Sequence, residues 1–105
     1  MNMFAAFLLV AVPSAADDAR WEQLHDRIEA APQPVATFIE RRVGCNYWDG
    51  EVNGAGDGRD QTIQRERKKL RCDDIERDER LLRKKNRKSP AVLKLLDDTR
   101  ELDPW

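Results

Sequence analysis

Histidine and cysteine are scarce in this chain: its 105 residues contain one of the first and two of the second. A single imidazole excludes paired-histidine chemistry, and His25, beside Leu24, reads as a boundary residue on a helix flank. Two sulfurs far apart in sequence with one histidine are also a poor set of zinc ligands. A long apolar stretch is missing too. The longest run, residues 3–12, is about half of the roughly 20 residues that a membrane-crossing helix needs. No alternating pattern of useful length occurs, which excludes a strand-built fold, and no internal repeat is visible.

The short apolar run is followed by Pro13, Ser14, Ala15 and Ala16, and no basic residue precedes Arg20. The run has the length of the apolar region of a secretory signal, and the small residues Ser14 and Ala16 suit a peptidase site after Ala16. The expected division is a signal peptide over residues 1–16 and a single domain over residues 17–105. The segment before the run supplies no Lys or Arg, so this reading rests on the run and the cleavage site. No cysteine directly follows the run, which argues against a lipid-anchored lipoprotein. An exported product with few apolar residues to bury needs a covalent brace. Cys45 and Cys72, an even pair, are expected to form it.

Charged residues make up 37% of the chain, so helices of any length must carry them on most of their surface. Residues 17–31 place Trp21, Leu24 and Ile28 at helical spacing behind Asp17 and Asp18. Pro34 opens a second helix whose stripe is Val35, Phe38, Ile39 and Val43. Arg41 and Arg42 suit the negative pole of that helix, and Gly44 suits its cap. Residues 46–59 read as a loop because Gly50, Gly54, Gly56 and Gly58 interrupt any regular element.

Helical spacing resumes at Asp60 with Ile63, the stem of Arg67 and Leu70, ending at Cys72. Asp73 or Asp74 is the expected cap of a fourth helix through Lys85, bearing Ile75, Leu81 and Leu82, with pairs Glu76–Arg80 and Glu79–Arg83. Ser89 and Pro90 start a fifth, faced by Val92, Leu93 and Leu96, after which Leu102 and Trp105 are placed to fold back. The expected architecture is all-α: a small bundle of four to five short helices held by one disulfide.

Three constellations bear on function. Tyr47, Trp48, Asp49 and Glu51 directly follow Cys45, and two rings with two carboxylates on a tethered segment make either a recognition surface or a lid on a thin core. Asp49 and Glu51 also admit a reading as the acid and base of a small envelope hydrolase. In the second constellation, Asp49, Glu51, Asn53, Asp57 and Asp60 match calcium-loop positions, with Gly54 at the turn. Glu51 is longer than the usual ligand, Asp60 replaces a bidentate Glu, and Gly56 stands where an apolar residue normally sits. The span therefore reads as a solvated insertion, and no metal or cofactor is expected.

The third is a stretch from Arg65 to Lys88 with 12 basic and 6 acidic residues. It reads either as a solvated face or as a binder of anionic surfaces. Interspersed acids and the lack of interleaved aromatics set nucleic acid aside as a partner. A protein or an envelope polymer is the expected partner.

The residues Cys45-Asn46-Tyr47-Trp48-Asp49-Gly50-Glu51, then Leu70-Arg71-Cys72-Asp73-Asp74-Ile75, Asp78-Glu79 and Leu81-Leu82-Arg83, resemble small exported bacterial proteins of uncharacterised function. In that group a Cys-Asn-aromatic-aromatic-x-Gly-Glu motif precedes an Arg-Cys and a short acidic helix. The likeness covers residues 38–96, with residues 54–58 looking like an enlarged loop, and implies an exported protein without implying an activity. More distantly, Cys72, Asp78 and Leu81 are similar to the N-terminal domain of lysozyme-inhibitor-type lipoproteins. Lys85 stands where those have a tyrosine, and no inhibitory residue carries over. Together these readings describe a periplasmic or secreted protein that binds rather than catalyses.

Overall fold

The computed structural model describes residues 12–52 and 58–104, with side chains from residue 18. Five α-helices and one short 3-10 turn account for nearly all of them: α1 (Val12–Ala30), α2 (Gln33–Gly50), α3 (Gly58–Lys69), the 3-10 turn (Cys72–Asp74), α4 (Ile75–Lys85) and α5 (Pro90–Asp98). No strand occurs among the described residues. The all-α bundle expected from the spacing is the fold observed. The chain divides into two compact units, residues 1–30 and residues 31–105.

The described part of the first unit is α1. It begins earlier than Asp17, so the proposed cleavage point after Ala16 lies within the helix, while nearly all of the apolar run lies outside the described residues. Of its expected stripe, Ile28 is buried, Leu24 half-buried and Trp21 exposed.

The second unit contains the remaining helices and the disulfide. Pro34 lies in the first turn of α2, where a missing N–H costs nothing, and the Pro32 carbonyl accepts from the amides of Val35 and Ala36. Val35, Phe38, Ile39 and Val43 are all buried, as their spacing required, together with Ile63 of α3 and Val92, Leu95 and Leu96 of α5. The Ser89 hydroxyl caps α5 by accepting from the Val92 amide, with Pro90 at the first helical position. Asp60 in the first turn of α3 and Arg67, Lys68 and Lys69 in its last complement the helix dipole.

Several expectations about helix ends need correction. Gly44 does not cap α2: the helix runs six residues further, to Gly50. Leu70 packs closely on Gly44 instead: a Cβ there would sit 2.8 Å from Leu70 Cδ1, so a larger residue would make that side chain shift. The approach of the α3 end to the middle of α2 is what brings Cys72 to Cys45. Residues 46–50 are helical rather than loop, and Gly58 opens α3 rather than interrupting it. That helix also stops before Cys72. Arg71, at φ 52° and ψ 52°, takes the left-handed conformation that usually falls to glycine after a helix. Neither Asp73 nor Asp74 caps α4 with its side chain; Asp73 and Asp74 belong to the 3-10 turn that enters it. Leu81 is not on the core face but 55% exposed.

Arg41 and Arg42 lie in mid-helix and do not serve the pole of α2. Arg41 Nη2 donates to Asp78 Oδ2 at 2.6 Å. Arg42, only 3% exposed, donates from Nη1 to Glu79 Oε1 (2.8 Å) and from Nη2 to the Leu96 carbonyl (2.6 Å) and the Thr99 hydroxyl (2.9 Å). It thus serves the negative pole of α5. The other carboxylate oxygen of Glu79 accepts from Arg83 Nε at 2.8 Å and Arg100 Nη2 at 2.9 Å. One buried carboxylate therefore joins α2, α4 and the end of α5 through three guanidinium groups. The expected Glu79–Arg83 pair is part of this cluster.

Burial alone would raise the pKa of Glu79, but the hydrogen bond from Arg83 and the charges of Arg42 and Arg100 outweigh it and hold the group below the ordinary carboxylate range. Asp78 is also lowered, chiefly by its hydrogen bond from Arg41. Both carboxylates bind protons more weakly in the folded state than in the unfolded one. Their stabilisation is complete above the unfolded values, near pH 4, and is lost as pH falls through the lower folded values. Urea midpoints measured between about pH 7 and pH 2 should hold steady and then drop below about pH 4. Glu79→Gln should make that drop shallower; an equally steep drop would remove Glu79 as its cause.

Candidate functional site

Cys45 and Cys72 form the disulfide expected from the sequence, with Cα atoms 5.6 Å apart. Cys45 is buried on the inner side of α2 and Cys72 is half-buried at the start of the 3-10 turn. The next residue along α2, Asn46, points its amide at the C-terminal segment, donating to the carbonyls of Arg100 (3.0 Å) and Leu102 (2.9 Å). Leu102 does fold back, whereas Trp105 lies outside the described residues. Residues 45 and 46 are thus fixed on two sides, one by a covalent bond and one by two hydrogen bonds.

Tyr47 and Trp48 occupy the helical turn that follows. Their rings meet edge to face, with centroids 4.9 Å apart and planes at 80°, the arrangement that suits the quadrupoles of two aromatic rings. Tyr47 is 41% exposed and Trp48 half-buried. The two readings of this pair therefore divide between its members: Trp48 lies partly against the fold while Tyr47 presents its ring outward. Beyond them, the Glu51 amide closes the helix on the Trp48 carbonyl at 3.1 Å, and Val52 is exposed.

Asp49 and Glu51 are not directed at each other's chemistry. Asp49 Oδ1 accepts from Arg67 Nε at 2.8 Å, and Arg67 also reaches Asp73 at 3.5 Å. Glu51 is ion-paired with Arg59. Each carboxylate thus ties the end of α2 to α3. An open groove of about 1010 Å³ does exist in this unit, between α3 and the 3-10 turn, where Gln64, Arg65, Lys68, Arg71 and Cys72 contribute to its wall. Neither Asp49 nor Glu51 lines it. Of the five oxygen ligands in the calcium reading, Asn53 and Asp57 lie outside the described residues, and two of the other three are bound to arginines.

No family model, curated protein or solved structure matches the chain. Sequence reasoning brought together Cys45, Cys72, Tyr47, Trp48, Asp49 and Glu51, and all six lie at the junction of α2 with α3 and the 3-10 turn. It missed the Asn46 anchor and the buried cluster around Glu79. A signal for the cluster was present: Arg42 falls on the stripe of Val35, Phe38 and Ile39, and Glu79 lies between Ile75 and Leu82 on the inner face of α4. Opposite charges on two apolar stripes point to each other.

Among the described residues, no helix is long and apolar enough to cross a membrane.

Proposed function

We propose that the protein is exported to the periplasm or beyond and acts by binding, through the end of α2 that carries Tyr47 and Trp48. The observation that carries this reading is a solvent-facing tyrosine that directly follows two anchored residues, Cys45 held by the disulfide and Asn46 by its two hydrogen bonds. A ring fixed in this way makes contact area without the entropy cost of ordering a loop. The disulfide supports an oxidising compartment, where such bonds persist. The signal-like residues 1–16 and the resemblance to small exported bacterial proteins point the same way. The partner class is a protein or an envelope polymer. The hydrolase alternative is weakened because Asp49 and Glu51 are each engaged by an arginine and neither lines the groove.

Protein recovered from its own cells provides the test. Its mass, before and after reduction, should correspond to a chain starting at Asp17 with one disulfide. Uncleaved protein with two free thiols would overturn export. The same material, cross-linked in place, should retain a defined partner that Tyr47→Ala and Trp48→Ala each weaken by about tenfold or more, with circular dichroism unchanged. Partners retained equally by both variants would overturn the assigned surface.

A further inference from the structure

The structure divides the basic stretch of residues 65–88 into two unlike halves. The first half holds all six acids of the stretch: Arg67 pairs with Asp49 and Asp73, Lys69 with Glu66, and Arg77 with Asp74 and Asp78, while Arg65, Lys68 and Arg71 are exposed among them. Arg83 turns inward to Glu79 and Asp97. Among the described residues, no ion pair engages Arg80, Lys84, Lys85, Arg87 or Lys88. All five are exposed, and no acidic residue occurs between Arg80 and Lys88.

The helical register sets two of these charges beside an apolar residue. Leu81, 55% exposed, has Arg77 and Asp78, paired with each other, one turn before it and the unpaired Lys84 and Lys85 one turn after it on the outer face of α4. Its neighbour Leu82 is half-buried and Glu79 is buried on the opposite side. Long basic side chains suit such a face because their stems lie along an apolar surface while their heads reach outward.

We propose that the C-terminal part of α4 and the turn after it, where Leu81 stands beside Lys84 and Lys85 and where Arg80, Arg87 and Lys88 are also exposed, adsorb to the surface of an anionic lipid bilayer. The charge attracts phosphate-bearing head groups, each cation adding to the attraction within a Debye length of the surface. Leu81 enters the head-group boundary as a shallow apolar contact. Adsorption of this kind is reversible and leaves the Tyr47 and Trp48 turn, at the far end of α2, to its own partner. A membrane fits better than nucleic acid because a leucine, rather than a ring able to stack on bases, stands beside the charges.

Flotation of the full chain with vesicles tests this. Phosphatidylcholine vesicles are compared with vesicles containing about one-third phosphatidylglycerol. Any apolar contribution from residues 3–12 is common to both lipids, so the readout is the ratio of the two partition coefficients. That ratio should be about tenfold or more near 0.1 M salt and collapse toward unity near 0.5 M. Lys84→Glu with Lys85→Glu, at exposed positions outside every ion pair, should bring it to about unity with the thermal midpoint unchanged. Leu81→Ser should weaken binding to the anionic vesicles severalfold. A ratio near unity for the parent, an undiminished ratio in the double variant, or indifference to Leu81→Ser would each overturn the proposal. Duplex DNA bound as tightly as the anionic vesicles would mark a nonspecific polycation and overturn it as well.

Discussion

Glu79→Leu is expected to lower stability by about 3–5 kcal/mol, the usual cost of stranding one member of a buried ion pair. The guanidinium of Arg42 would remain buried, with only the Leu96 carbonyl and the Thr99 hydroxyl left to accept from it. Arg83 and Arg100 would lose the oxygen they share and be drawn toward Asp97. Since small domains are held by about 5–15 kcal/mol, this one change consumes much of the total. Arg42→Met should cost less, because Glu79 keeps its bonds from Arg83 and Arg100 and stays near the surface through them. The paired change Arg42→Met with Glu79→Leu removes both buried charges and should recover a large part of the loss. Urea unfolding at constant m-value provides the measurement. A Glu79→Leu variant within 1 kcal/mol of the parent would show that the cluster sits in water rather than in the core.

Removing the disulfide by Cys45→Ala with Cys72→Ala should cost about 3.5 kcal/mol, the chain-entropy value for a loop of this size. The loss should not be uniform along the chain. Over its 12 residues α3 buries one apolar side chain, Ile63, so its hold on α2 rests largely on the bridge, the exposed Arg67–Asp49 and Arg59–Glu51 pairs and the approach of Leu70 to Gly44. By contrast α5 buries Val92, Leu95 and Leu96. Hydrogen exchange in the variant should therefore show protection lost first across Gly58–Lys69, with α2 and α5 retaining theirs until global unfolding. Equal loss across all helices would mean that the core, not the bridge, positions α3.

The sequence announces these helices through apolar spacing, and it was reliable wherever a stripe was dense. The stripe of α2 and the Ser-Pro start of α5 needed no tertiary information, because local spacing and a local cap decide them. The ends of α2 and α3 were another matter. Gly44, Gly50 and Gly58 were read by their conformational freedom, yet Gly44 is fixed by what packs on it, and the other two sit at helix ends where the cost of glycine is small. A contact between residues 44 and 70 cannot be seen in spacing along one helix.

Its chemistry alone points Leu81 to the core, although Glu79 and Leu82 take the inner positions. That exchange, a carboxylate inside and a leucine outside, reflects Arg42 on the opposing helix. The aromatic turn was legible because Tyr47 and Trp48 adjoin a cysteine. Its rigidity was not, since Asn46 finds its acceptors more than 50 residues away.

The two hydrogen bonds from Asn46 have a practical corollary. They pin the outgoing backbone at residues 100 and 102 to Asn46, the residue that precedes the aromatic turn. A bulky label or a resin on the C-terminal segment would load the anchor on which that turn depends. Capture through an engineered handle on the α4–α5 turn, remote from residue 46 in sequence and separate from its bonds, leaves that anchor unloaded.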